Sequence, residues 1–180
     1  MNRKLILYTA CAKRIEDERG GALVEFALCI SMLLVLVYGL IDFSQIILDH
    51  QVMSGLSRQG SDLASRGTKL QDTVSALDTQ GASLNIGANG RIIVTAVAED
   101  SSGNFQIVDQ AESPPGISVT SAVGSGVGNT ATMPASAKTA LKAGQTLYVT
   151  EVFYSYRPMT PIGAFLNTSL ASTLYESAYF

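Results

Sequence analysis

One apolar run, Gly20–Ile41, constrains this chain more than any other feature. A helix rises about 1.5 Å per residue, so roughly 20 residues cross a hydrocarbon core of about 30 Å. Glu25 is the only charged residue in the run and lies near its N-terminal end. A polar leader, residues 1–20, precedes the run, and no second run of this kind follows it.

Three readings of the run compete: a plain signal anchor, a secretory signal peptide, and a prepilin-type N-terminus. The secretory reading fits worst. Its apolar core should span about 7–15 residues and end in a small-x-small cleavage site. This run is longer, and the segment Asp42–Asp49 offers no such site. The run is therefore expected to be retained as a transmembrane segment over residues 21–41. Arg3, Lys4, Lys13, Arg14 and Arg19 precede it, and the next basic residue after it is Arg58. The positive-inside rule then places the N-terminus in the cytoplasm and the C-terminal body outside.

Glu25 separates the remaining two readings. A carboxylate at mid-bilayer costs on the order of 2.5–3.5 kcal/mol on insertion scales, and less near an interface. Either Glu25 reaches the headgroups or is protonated, or it pairs with a cation inside the membrane. The segment Arg19, Gly20, Gly21, Ala22, Leu23, Val24, Glu25, Phe26, Ala27, Leu28 resembles a class III prepilin cleavage site: a glycine, four residues, then Glu and an aromatic at the head of an apolar helix. Together with Tyr38–Phe43, residues 18–28 resemble the TadE-like proteins, pseudopilin-like components of bacterial tight-adherence (Tad/Flp) pilus systems. The resemblance implies cleavage after Gly20 by an inner-membrane prepilin peptidase, leaving Gly21 as the first residue. It further implies that Glu25 meets the new ammonium of a neighbouring pilin or pseudopilin, two buried charges compensating each other. Phe26 is the aromatic neighbour of that motif. Mature pilins often begin with a bulky apolar residue, and Gly21 departs from that pattern.

Composition narrows the rest. Residues 21–180 hold seven basic and twelve acidic side chains, a net charge of −5, with no basic cluster in the body; nucleic acid is not an expected partner. Cys11 lies in the leader and Cys29 in the apolar run, so the body has no cysteine with which to form a disulfide. His50 is the only histidine and has no paired cysteine nearby, which favours a surface or interfacial role over metal binding. No nucleophile–base pair, metal cluster or cofactor loop is recognisable, and neither enzyme activity, cofactor nor small-molecule substrate is expected.

Beyond the membrane, the helix is predicted to continue without proline from about Glu16 to Arg66, about 75 Å in all. Residues 42–67 form its amphipathic part. Ile46, Met53, Gly60 and Gly67, with Asp49, Leu56 and Leu63, recur at seven-residue spacing, and Phe43, Ile47, Ser54 and Leu56 are expected near the same flank. Gly55 and Gly60 weaken it. Gly67 and Thr68 should end it. Residues 68–180 are expected to form an extracytoplasmic head. Residues 71–84 suit a short helix, 85–90 a turn, and 91–98 and 104–110 two strands of a hairpin across the turn 99–103. Residues 113–135, rich in Gly, Ser, Thr, Ala and Pro, read as a flexible loop, and 135–143 as one or two helical turns. Residues 144–158 make the strongest strand, with Tyr148, Val152, Tyr154 and Tyr156 on one face and Leu147, Val149 and Phe153 on the other. Large groups on both faces argue for a central position. Val152–Pro158 also resembles a late strand of the TadE-like proteins. Residues 169–180 alternate and should pair with it.

The expected class is α+β: a long N-terminal helix packed on a small antiparallel sheet of about four strands, as in pilins. Tyr148, Tyr154, Tyr156, Tyr175 and Tyr179 suit either an exposed contact surface or strand packing with hydroxyls at the rim, and the second is favoured. Two functions of different kinds fit. One is a minor pseudopilin, anchored in the inner membrane with its head periplasmic or placed in a filament, serving pilus assembly and adhesion. The other is an uncleaved, membrane-anchored binding module of the cell envelope.

Overall fold

The computed structural model describes residues 3–140, 144–161, 163 and 173–180, with the side chains of 3–19 and of 140 outside that description. The first element is one helix, α1, over Arg3–Ser65. It therefore starts well before Glu16 and runs through the leader. Its C-terminus is set by Gly67, which takes the left-handed conformation at φ +87°. The Thr68 amide reaches back to the Leu63 carbonyl and the Gly67 amide to that of Ala64. This pair of bonds caps the last carbonyls, and the positive φ suits a residue without a Cβ.

Helix α2, Leu70–Gln80, buries Leu70, Thr73, Val74 and Leu77. A 3₁₀ turn, Gly81–Leu84, follows it, so the predicted second helix is present with a tighter last turn. The expected turn at 85–90 contains a single helical turn, α3, Ile86–Asn89, which opens on Asn85 at φ +49°. Strands β1, Gly90–Glu99, and β2, Phe105–Glu112, form the predicted antiparallel hairpin. Between Ala96 and Val97 the register shifts, and Val108 is the extra residue of a bulge. The short helix α4, Ala135–Ala140, matches the start of the predicted turns; residues 141–143 lie outside the described residues. Strand β3, Thr146–Ser155, is interior, and β4, Thr173–Tyr179, pairs with it; residues 169–172 of the predicted last strand lie outside the described residues. The sheet order is β2-β1-β3-β4, antiparallel throughout. The class is α+β, with the C-terminal part of α1 packed on the sheet.

The two sheet faces are covered differently. One face meets α1 and α2, where Met53, Leu56, Val74 and Leu77 pack on Ile92, Val94 and Val152. The other face is covered by the segment 113–134. That segment is not a free loop: Val123, Ala131 and Met133 are buried against Val97, Ile107, Leu147 and Val149. It also pairs along β2, with Ile107 and Phe105 bonded to the backbone of residues 128–131. Small side chains let this backbone lie flat on the sheet, and a few large ones anchor it. Composition alone shows the first property and hides the second.

Candidate functional site

The sequence-predicted residues stand on the free part of α1. Gly20, Gly21 and Glu25 are exposed, and Phe26 is 64% exposed. Open space surrounds both glycines. Gly21 and Glu25 are one helical turn apart and so share a face. Among the described residues no cation pairs with Glu25 and no group of three His, Cys, Asp or Glu could hold a metal. The head adds nothing to this site. Leu23 through Ile41 present large apolar side chains outward on every side, as a helix does when lipid or other helices are its solvent. The helix passes the length and hydropathy test for a membrane span, with none of its most apolar window buried.

The first residue past the run behaves differently. Asp42 is only 8% exposed. Its Oδ1 accepts the amides of Met159 and Thr160, each at 3.1 Å, and its Oδ2 accepts the Thr160 hydroxyl. The Tyr156 hydroxyl donates to the Asp42 carbonyl at 3.1 Å. Gly163 lies so close to the Asp42 carboxylate that no Cβ would fit there. A charge-assisted clasp of this kind satisfies a buried carboxylate without a cation. It joins two stretches far apart in sequence, Tyr38–Phe43 and Val152–Thr160.

Higher on α1 the helix touches the sheet through small and polar residues. Ser57, Gly60, Ser61 and Ala64 are buried. A Cβ on Gly60 would come within 2.6 Å of Leu77 and 2.7 Å of Thr150. Ser61 enters the ladder between β3 and β4: the Thr150 amide donates to its Oγ at 3.1 Å, and that hydroxyl donates to the Ala178 carbonyl at 2.8 Å. The expected stripe is right at Met53, Leu56 and Gly60. Phe43 and Ile47 instead point away from the head, and Gly67 lies beyond the helix. Asp49 is half-buried, and its desolvation raises the carboxyl above its ordinary pKa. His50 is exposed, 3.6 Å from Glu176 on β4.

Sequence reasoning missed Glu151. It is fully buried in the middle of β3, on the face away from α1. Its carboxylate accepts the Ala122 amide at 2.8 Å, the Tyr175 hydroxyl at 3.0 Å and the Ser121 hydroxyl. These donors tie the 113–134 segment and β4 to the central strand. The one available signal was a lone acid inside a strand with large groups on both faces. The tyrosines divide between the two faces: Tyr148 and Tyr154 pack on the α1 side, Tyr175 and Tyr179 on the other. Tyr156 is buried in the clasp. They do not form one surface, which favours packing over a contact patch. Burial pushes the Tyr175 phenol up to about 12.

The family model of the TadE-like proteins matches residues 20–62. Over those residues α1 is similar to the TadE-like proteins. The match begins at Gly20 and ends beside Ser61, and every matched residue lies in α1. It takes in the predicted glycines, Glu25, the clasp residue Asp42 and the Gly60–Ser61 contact. No curated protein and no solved structure matches the chain. The TadE-like match thus covers the helical spine of the molecule and none of the sheet.

Proposed function

We propose that this TadE-like chain is a minor pseudopilin of a tight-adherence (Flp) pilus. Residues 21–41 anchor it in the bacterial inner membrane, with residues 1–20 cytoplasmic and the head, residues 68–180, outside. A prepilin peptidase removes the leader after Gly20. Glu25 then pairs with the ammonium of Gly21 on a neighbouring pseudopilin, and the assembled helices support pilus assembly and surface adhesion. The observation that carries this reading is the coincidence of the family match with the uncovered helix. The matched segment opens on Gly20 and leaves its most apolar part free of the head. A helix in that state needs lipid or other helices around it.

The test is the N-terminus of protein recovered from membranes, with and without the peptidase. A peptidase-dependent start at Gly21 is expected, and Glu25→Ala should then lower pilus assembly at least tenfold while leaving cleavage intact, since the lone ammonium would stay buried without its partner. One observation favours the second reading, an uncleaved anchor. Gly20 and Gly21 lie inside one continuous helix from Arg3, and a peptidase must open that helix to reach the bond. Two adjacent glycines weaken a helix by roughly 1 kcal/mol each, which eases the opening. A start at Met1 with the peptidase present would select the uncleaved anchor.

A further inference from the structure

We propose that the turn Arg157–Pro161 is a second membrane contact, a foot on which the head stands in the lipid headgroup layer. The inference rests on the reading of α1 as a membrane anchor. The apolar run ends at Ile41, and Asp42 is the next residue. Side chains of a helix lean toward its N-terminus. The Asp42 carboxylate therefore lies level with the last apolar turn, Tyr38–Ile41, at the edge of the hydrocarbon. The clasp fixes the turn to that same level, because the Met159 and Thr160 amides are both 3.1 Å from Asp42 Oδ1.

What the turn presents there suits a lipid interface. Met159 is 73% exposed, the most exposed of the large apolar residues along with Met32 of the run itself. Arg157 is exposed beside it, two residues earlier. Thr160, whose polar groups would be costly to desolvate, is turned inward to Asp42. On α1, Tyr38 stands one turn below Asp42 on the same face, and is the one half-buried residue of 20–41. Tyrosine at that depth, a flexible apolar side chain and a cation are the chemistry of the bilayer interface: ring and thioether at the acyl boundary, guanidinium on lipid phosphate. The foot is bonded to Asp42, the residue that follows the apolar run, so the same bilayer reaches both. An isolated apolar residue on the head would have no such neighbour.

The chain contains no tryptophan, so a single introduced one reports its own surroundings. The full chain would be placed one copy per nanodisc of phosphatidylethanolamine and phosphatidylglycerol, with brominated acyl chains as quencher. Three variants are compared: Val35→Trp in the run, Met159→Trp in the foot, and Val127→Trp on the covering segment. Val35→Trp should be strongly quenched and Val127→Trp unquenched. Met159→Trp should be blue-shifted and quenched to an intermediate degree, less so when the anionic lipid is omitted. Met159→Trp that matches Val127→Trp, while Val35→Trp is quenched, overturns the foot and leaves the anchor standing. A blue shift at Met159→Trp without bromine quenching means a protein surface covers it, and also overturns the foot. An unquenched Val35→Trp overturns the anchor and the foot together.

Discussion

The two halves of α1 are one helix with two kinds of surroundings. Over residues 20–41 the side chains are mostly large and apolar, and all but the half-buried Tyr38 are exposed. Over residues 42–65 the buried positions are mostly small or polar: Asp42, Ser57, Gly60, Ser61 and Ala64, with Met53 and Leu56 as the large ones. The lower half is selected for solubility in lipid or among helices, where any bulky apolar side chain serves. The upper half is selected for close approach to one sheet, where a single extra methyl group matters. Hydropathy measures the first demand well and the second poorly.

The sharpest way to break this contrast is Gly60→Val. The new side chain would collide with Leu77 and Thr150, both buried. The expected loss is roughly 3 kcal/mol of head stability, at the upper end of overpacking effects, read as an earlier urea midpoint in detergent with membrane insertion unchanged. A midpoint equal to that of the parent would mean α1 does not hold this distance from the sheet.

A smaller effect should appear in alkali. The Tyr175 phenol is raised from 10.0 to about 12, mainly by burial, and its proton is the one given to Glu151. A raised pKa means that its contribution is whole below pH 10 and is lost as pH rises from 10 toward about 12. The unfolded chain gives up this proton first. Tyr175→Phe should therefore lose less of its melting temperature over that window than the parent does. Parallel slopes in the two proteins would remove Tyr175 from the account.

The smallest effect sharpens the comparison from the other side. Leu33 is 58% exposed in the uncovered run. Leu33→Ala should leave head stability within about 0.5 kcal/mol, as for positions away from packed contacts. A midpoint shift comparable to that of Gly60→Val would show that the lower helix supports the head after all.

The same contrast explains what could be read from the sequence. The apolar run, the helix end at Gly67, the hairpin, the interior position of β3 and the pairing of β4 were all legible, because each rests on local periodicity or turn chemistry. The family resemblance was legible on residues 18–28 and 38–43, and the family match extends it unbroken to residue 62. Three features were not legible. Nothing local marks Asp42 as the centre of a clasp, since its donors come from residues more than a hundred positions away. Nothing local marks Ser61 as a hydroxyl that enters a strand ladder. Segment 113–134 looked like a flexible loop because its composition is that of a linker, while its anchors, Val123, Met133 and the bonds to Glu151, are long-range.

The two long-range bonds on α1 have a mechanical consequence. Asp42 holds the chain just after β3, and Ser61 holds Thr150 within it. These points are nineteen residues apart on the helix, about 28 Å along its axis. Strand β3 thus runs back along α1 and is riveted to it at its middle and just past its C-terminal end. A pull on the helix, from extraction out of a bilayer or from tension along a filament, reaches the sheet as shear along its strands. Both rivets and the packed surface between them carry that load together. If the helix were fastened only at Ser61, the same pull would peel the head away one contact at a time.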